Sequence, residues 1–270
     1  MEKLGIKQGE SENLLGISPD RLINTPLTLQ EIGYAGASVM HGAVMEPVVD
    51  GDTLPEIPLD AAEKGAAKDV IVLTGSNLDE AKLFGASSPA LKRLDEDGLL
   101  KRVGRQLSLK YGETLIREYR EIRASKALDT SPAEILMAIQ TDQQFRIPGV
   151  RLAEIQTRLS VKAYNYLFTW ESCQAGLGAC HGLDVGFVFD SLNEDFHGVG
   201  PDAEKLVNNM QDAWLAFART GDPSCETLGP WPAYGSGRNT MILGQDSHLE
   251  AAPYEEERRI WDVVPNDSLG

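Results

Sequence analysis

Acidic and basic side chains stand just after two predicted strands, where they could do acid–base chemistry together. Asp79 and Glu80 follow the aliphatic run 69–74, and His181 follows the aromatic run 163–171 through a short loop. Open α/β sheets hold their active sites at the carboxyl ends of their strands. A neutral imidazole can take a proton from a hydroxyl nucleophile, while a carboxylate on its other nitrogen fixes the tautomer. Glu80 and His181 are therefore a candidate acid and base for nucleophilic catalysis.

Each of these residues also has a purely structural interpretation. A lone histidine beside an aromatic strand is often a packing or capping residue, and a carboxylate or amide after a strand often caps a helix. Asp79 or Asn77 could cap a helix predicted over 79–84, and Asp79 competes with Glu80 for the role of the acid. Residue types and spacing alone leave these interpretations open.

The elements predicted around these residues include both helices and strands. The run 69–74 lacks polar alternation, as expected of a strand that is buried on both faces of a largely parallel sheet. Capping residues, Gly and Pro bound the predicted helices, and aromatic or β-branched runs mark the strands. Helices are predicted over 27–32, 58–67, 88–107, 111–126, 131–144, 149–160, 203–219 and 253–263, and strands over 69–74, 163–171 and 240–243.

Five short motifs follow one another over residues 46–235. They are Pro47-Val48-Val49-Asp50-Gly51 with Leu54-Pro55, Gly75-Ser76-Asn77-Leu78-Asp79-Glu80 with Leu83-Phe84, His181 through Phe187-Val188-Phe189, Trp214-Leu215-Ala216-Phe217-Ala218-Arg219-Thr220-Gly221-Asp222-Pro223, and Trp231-Pro232-Ala233-Tyr234. In this order they resemble the type-B carboxylesterases, a family that includes the cholinesterases and the bacterial nitrobenzyl esterases. The resemblance implies that Glu80 matches the family's triad acid and His181 its general base, in the chain order that the α/β-hydrolase fold uses after its serine.

The same resemblance implies a fold and an activity. The fold would be α/β, the C-terminal half of an α/β-hydrolase sheet with a large helical insertion between the acid-bearing and histidine-bearing strands. Residues 1–270 would be the C-terminal portion of one carboxylesterase domain. The activity would be hydrolysis of a small-molecule carboxylic ester through an acyl-serine intermediate, without a cofactor. Helices around 85–160 would shape the acyl or alcohol pocket.

The sequence departs from this family in its nucleophile. The family's serine stands in a Gly-x-Ser-x-Gly elbow after an apolar strand, and no such motif occurs in the 270 residues. The nearest string, Gly9-Glu10-Ser11-Glu12-Asn13, ends in Asn, and its bulky residues conflict with a tight strand-to-helix turn. Ser11 is therefore a poor candidate nucleophile. We expect the serine to come from a missing N-terminal half of the same domain.

Two interpretations of the chain follow from this departure. In the first, it is an esterase fragment that supplies Glu80 and His181 and is inactive alone. In the second, it is a non-catalytic cholinesterase-like binding module, in which both residues are kept for packing.

Composition excludes several other classes of protein. The chain has 25 Lys and Arg against 41 Asp and Glu, a formal charge of −16, so its field repels nucleic acid and anionic membranes. Its longest apolar runs are far shorter than the roughly 20 residues that span a bilayer. The N-terminus lacks the apolar region of a signal peptide, so either the protein is not exported or Met1 is not the natural start. A soluble protein, cytoplasmic or secreted, is expected.

The remaining cysteines and histidines carry no function in this interpretation. Cys173, Cys180 and Cys225 are not at zinc spacing, so no metal site is predicted. Cys173 and Cys180 could form a disulfide in an oxidising compartment, although free thiols are favoured. The other histidines have no partner that the sequence identifies, and surface or packing roles are expected for them: His41, His197 and His248.

Overall fold

The computed structural model of the protein describes residues 4–7, 9–23, 49–86 and 88–269. The chain divides into two units, Met1–Glu46 and Pro47–Gly270. In the first unit a 3₁₀-helix, Ser11–Gly16, precedes helix α1, Pro19–Ile23. Ser11 is exposed, and no strand leads into it within residues 4–7 and 9–10. The helix predicted over 27–32 lies outside the described residues.

The second unit contains a mixed sheet that has four strands among the described residues. In chain order these are β1 Val72–Asn77, β2 Ala163–Phe168, β3 Asn239–Leu243 and β4 His248–Ala251, and they lie side by side in that order. The first three strands are parallel, and β4 runs antiparallel to β3. Val72 pairs with Ala163 and Asn77 with Phe168, so β1 and β2 begin and end level with each other.

Strand β1 differs from the strand predicted over 69–74. Val70 and Ile71 precede β1 and are 55% and 42% exposed, whereas Gly75 and the two residues after it belong to the strand. A Cβ at Gly75 would overlap the ring of Tyr166 on β2, so glycine permits this close approach. Only the last two residues of β1 are buried. The predicted bounds and burial were therefore wrong, because pairing with β2, and not the aliphatic run, sets the ends of the strand.

Helices account for most of the remaining regular structure in the second unit. They are α2 Pro58–Glu63, α3 Lys82–Gly85, α4 Glu96–Ser125, α5 Pro132–Thr141, α6 Ile147–Arg158, α7 Leu183–Val188, α8 Glu194–His197, α9 Pro201–Thr220 and α10 Glu255–Ile260. A π-helical turn, Asp142–Arg146, joins α5 to α6, and 3₁₀-helices follow α10 at Trp261–Val263 and Asn266–Ser268. Helices α7 and α8 and strand β4 were not predicted from the sequence.

The longest helix, α4, replaces two predicted helices. Asp95 caps its start, where its carboxylate accepts a hydrogen bond from the Gly98 N–H at 2.8 Å, so the helix begins later than predicted. The predicted break near 107–111 is a kink at Ser108, whose φ is 64°. The helix therefore runs continuously along the chain but changes direction at the predicted break.

Two main clusters of buried side chains hold this unit together. One lies within the helical layer, where residues of α4 and α5 pack with Trp261. The other lies between the sheet and helices α7 and α9, and it includes Trp231. Both tryptophans are 1% exposed. The helical layer is inserted between β1 and β2, as predicted.

Candidate active site

Glu80 and His181 meet at the carboxyl edge of the sheet. Glu80 lies in the turn after β1, and His181 lies just before α7, at the end of the loop that follows β2. Because β1 and β2 are parallel and end level, both loops leave the same edge of the sheet. His181 Nδ1 lies 2.7 Å from Glu80 Oε2, although the two residues are 101 positions apart in the chain.

The Glu80 carboxylate is buried and is held at both of its oxygens. Its side chain is 6% exposed. Oε1 accepts a hydrogen bond from the backbone N–H of Asn77 at 2.7 Å, and Oε2 faces His181. The last residue of β1 thus orients the carboxylate towards the histidine.

The imidazole of His181 is half-buried, and only one of its nitrogens has a hydrogen-bond partner among the described residues. Its hydrogen bond with Glu80 raises the pKa of His181 above the ordinary value of 6.5; burial opposes this, and the charges of Glu80 and Asp184 add to the rise. In the neutral ring Nδ1–H donates to Glu80, which leaves the lone pair on Nε2. Among the described residues Nε2 has no hydrogen-bond partner. This nitrogen can therefore accept a proton from a group that is brought to it.

Two phenyl rings flank the imidazole. The ring centroids of Phe84 and Phe145 lie 5.2 Å and 5.1 Å from that of His181. Phe145 belongs to the π-helical turn Asp142–Arg146, a type of irregularity that is often found at functional sites. Phe84 belongs to one of the five sequence motifs, whereas Phe145 was not identified from the sequence, because residues in a π-turn carry no distinct pattern.

Asp79, the competing carboxylate, does not contact His181. Its Oδ2 accepts a hydrogen bond from the Ala179 N–H at 3.1 Å, and its Oδ1 lies 2.9 Å from Lys82 Nζ. Neither Asp79 nor Asn77 caps α3, since the residue before that helix is Ala81 and no side chain caps it. The capping interpretation was therefore wrong.

Asp184 completes a polar network that the sequence analysis missed. Its Oδ1 accepts a hydrogen bond from Asn77 Nδ2 at 3.2 Å, and its Oδ2 accepts one from the Tyr166 hydroxyl at 3.3 Å. Burial, followed by the charge of Asp184, raises the pKa of Tyr166, so this hydroxyl stays protonated as a donor. The available signal was the position of Asp184, three residues after His181 and in the first turn of α7.

The remaining described histidines and the cysteines take no part in the contact between Glu80 and His181, although Cys180 directly precedes His181 in the chain. His197 is buried, and its Nδ1 accepts the Asn193 N–H, while His248 is exposed beside Glu250. His41 lies outside the described residues. Cys173 and Cys180 are free thiols, and burial raises the pKa of Cys180 to about 11.

The described residues contain neither a metal-binding group nor a membrane-spanning helix. They contain no group of three or more His, Cys, Asp or Glu side chains placed to hold a metal ion. None of their helices is both long and apolar enough to cross a bilayer.

The sequence and the structure both match one family. The profile of the carboxylesterase family matches residues 23–261. The structure of a carboxylesterase from Geobacillus stearothermophilus superposes with a TM-score of 0.78 at 32% identity, covering 97% of this chain and 52% of that one. The chain therefore belongs to the carboxylesterase family and has the α/β-hydrolase fold of its structural neighbours.

Related proteins include an esterase and a hydrolase. The para-nitrobenzyl esterase of Bacillus subtilis is 27% identical over 267 residues, which cover 96% of this chain and 51% of that protein. The phenmedipham hydrolase of Pseudarthrobacter oxydans is 28% identical over 213 residues, 76% of this chain and 41% of that protein. The chain thus spans about half the length of these relatives.

Proposed function

We propose that this chain supplies the acid and the histidine of a serine carboxylesterase, with Glu80 as the triad acid and His181 as the general base. The observation that carries the proposal is the 2.7 Å contact between His181 Nδ1 and the buried Glu80 carboxylate, with Nε2 free of hydrogen bonds to the other described residues. Membership of the carboxylesterase family supports the reaction class.

In this mechanism His181 Nε2 takes the proton of a serine hydroxyl as that oxygen attacks the ester carbonyl. Glu80 fixes the ring so that Nε2 carries the lone pair, and it stabilises the imidazolium that forms. His181 then gives the proton to the departing alcohol. In the second half of the reaction it activates the water that releases the acid from the acyl-serine.

The nucleophile would come from a segment outside this sequence, and the chain would act as the C-terminal portion of a longer domain. Three observations support this. No Gly-x-Ser-x-Gly motif occurs in the chain, and the chain spans about half the length of its relatives. Among the described residues no strand pairs with the outer edge of β1, which leaves backbone groups for a further strand.

The proposed substrate is a small-molecule carboxylic ester. Phe84 and Phe145 would place apolar surface beside the reacting carbonyl, because the centroids of both rings lie within 5.2 Å of that of the imidazole. This arrangement favours an apolar acyl or alcohol group over a charged one.

Labelling with a fluorophosphonate, followed by intact-mass measurement, tests the proposal. The chain is measured alone and after co-expression with the part of the B. subtilis para-nitrobenzyl esterase that lies outside the matched region. We expect no adduct on the chain alone. In the complex we expect one adduct on the supplied segment, which His181→Ala abolishes and Ser11→Ala leaves unchanged.

Two outcomes would contradict the proposal. An adduct on the chain alone that Ser11→Ala removes would mean that the chain carries its own nucleophile. A folded complex that forms no adduct and hydrolyses no ester would favour the non-catalytic binding module.

A further inference from the structure

The loops that carry the acid and the histidine are joined by hydrogen bonds that involve neither Glu80 nor the His181 ring. We call residues 77–80 the acid loop and residues 178–181 the histidine loop. The Asp79 N–H donates to the Ala179 carbonyl at 2.9 Å, and the Ala179 N–H donates to Asp79 Oδ2 at 3.1 Å. Asn77 Nδ2 donates to the Cys180 carbonyl at 2.7 Å. These bonds hold the two residues that directly precede His181.

The backbone groups of the histidine loop in these bonds are buried, so water cannot take the place of the Asp79 and Asn77 side chains as their hydrogen-bond partner. Ala179 is 1% exposed and Cys180 is 0% exposed. A buried N–H that loses its acceptor bears the full cost of its desolvation. The histidine loop would therefore have to move if the Asp79 carboxylate were removed.

The Asp79 carboxylate is itself fixed from two further sides. Lys82 Nζ lies 2.9 Å from its Oδ1, and so leaves Oδ2 for Ala179. Gly178 has a φ of +54°, and a Cβ built on it would overlap the Asp79 carboxylate. The glycine thus lets the carboxylate approach the histidine loop, and the lysine keeps it there.

We propose that Asp79 is a positioning residue whose carboxylate holds the histidine loop at the distance from the acid loop at which His181 meets Glu80. Its catalytic meaning rests on the function proposed above. Displacing reacting groups by about 1 Å can lower a rate about 100-fold. Loss of the hydrogen bond between Asp79 and Ala179 would therefore lower the rate, although Asp79 does not contact the substrate.

The pKa of His181, followed by ¹H–¹⁵N correlation spectra of the imidazole nitrogens in the whole chain, tests this role. The spectrum of His181→Gln assigns the signal among the four histidines. In Asp79→Ala we expect the pKa to fall towards the ordinary value of 6.5, because the contact with Glu80 loosens while Glu80 and Asp184 both remain. In Asp79→Asn the amide oxygen can still accept the Ala179 N–H, so we expect the pKa to stay raised.

The two variants remove the same charge, so a difference between them is not caused by the loss of charge. An unchanged pKa in Asp79→Ala would overturn the proposal. So would an equal fall in both variants, because the charge and not the bond would then be responsible.

A variant in the opposite loop guards against loss of folding in Asp79→Ala. Gly178→Ala keeps every carboxylate but forces Asp79 away, so it should also lower the pKa of His181. An unchanged value would again refute the role. These spectra do not depend on ester hydrolysis, so the positioning role and the esterase function can fail separately. Absence of labelling in the complex, together with the expected pKa changes in the Asp79 and Gly178 variants, would reject only the latter.

Discussion

His181 precedes helix α7 in the chain and His197 follows it, yet their surroundings shift their pKa values in opposite directions. His181 is half-buried and faces a carboxylate, which raises its pKa. His197 is 7% exposed and accepts a backbone N–H from Asn193, and burial lowers its pKa. The rings of Phe187 and Phe196 pack against His197 edge-on.

The difference shows which surroundings allow a histidine to exchange a proton and which favour a packing role. A carboxylate partner at partial exposure lets the imidazole exchange a proton, because the charged form is stabilised and one nitrogen stays accessible. Burial without a carboxylate holds the imidazole neutral. Aromatic neighbours do not distinguish the two residues, since both have them.

The largest expected effect is that of His181→Gln in the complex with the supplied serine segment. It should lower kcat by about 10⁴-fold or more, because Gln cannot act as the base that His181 is proposed to be. Ester hydrolysis by purified complex measures this. His248→Gln, at an exposed histidine, is the matched control and should retain full activity. Equal activity in the two variants would make His181 a packing residue like His197.

Glu80→Gln should have the next largest effect. The amide cannot stabilise the imidazolium and offers a donor to the ring, so kcat should fall by about 10³-fold to 10⁴-fold. The pKa of His181 should also fall, since its hydrogen bond with Glu80 is the main cause of the rise. Steady-state kinetics and imidazole spectra report the two changes. Glu256→Gln, a surface substitution, should alter neither.

His197→Ala should act on stability and not on chemistry. It removes a buried ring and leaves the Asn193 N–H without its acceptor, at a cost of about 2–3 kcal/mol in the free energy of unfolding. Urea denaturation measures this value. His181→Gln should cost less than about 1 kcal/mol in the same experiment, since the side chain is only half-buried and the Gln amide can still donate to Glu80. A larger loss of stability in His181→Gln than in His197→Ala would contradict the assignment of His197 as the packing residue of the two.

The smallest expected effect is a pH dependence of opposite sign at the two histidines. The pKa of His197 is lowered in the folded chain, so its contribution is present above 6.5 and is lost as the pH falls through the folded value. The pKa of His181 is raised, so its contribution is full below 6.5 and is lost as the pH rises through the folded value.

Unfolding free energies over about pH 5 to 8 test both signs. The difference between the unsubstituted chain and His197→Gln should shrink towards acid pH, and that for His181→Gln should shrink towards alkaline pH. If both differences shrank towards the same end of the pH range, the pKa values of the two histidines would not be shifted in opposite directions.

Much of the architecture was predictable because it is local. The helical patterns located α9 and the helical layer, and even the break in α4, where Ser108 forms the kink. The bounds of β1 were not predictable, because its first and last residues are set by pairing with β2, which is distant in the chain. The short helix α7 was also missed, since it is too brief to show a period.

The candidate site was predictable only in part. Motif order selected Glu80 and His181, and the structure places these two side chains in contact. Asp184 and Phe145 were missed, because their relation to His181 arises from the packing of separate elements. Asp79 was considered as an acid or a helix cap, whereas its contacts are with the histidine loop.

The sequence by itself determined the family, the acidic charge, the absence of a Gly-x-Ser-x-Gly motif and the identity of the two candidate residues. Those properties are carried by residue types and by short motifs. Only the tertiary structure decided which carboxylate faces His181, which nitrogen stays accessible and how the two loops are joined. These depend on the parallel register of β1 and β2, which brings residues 101 positions apart to one edge of the sheet.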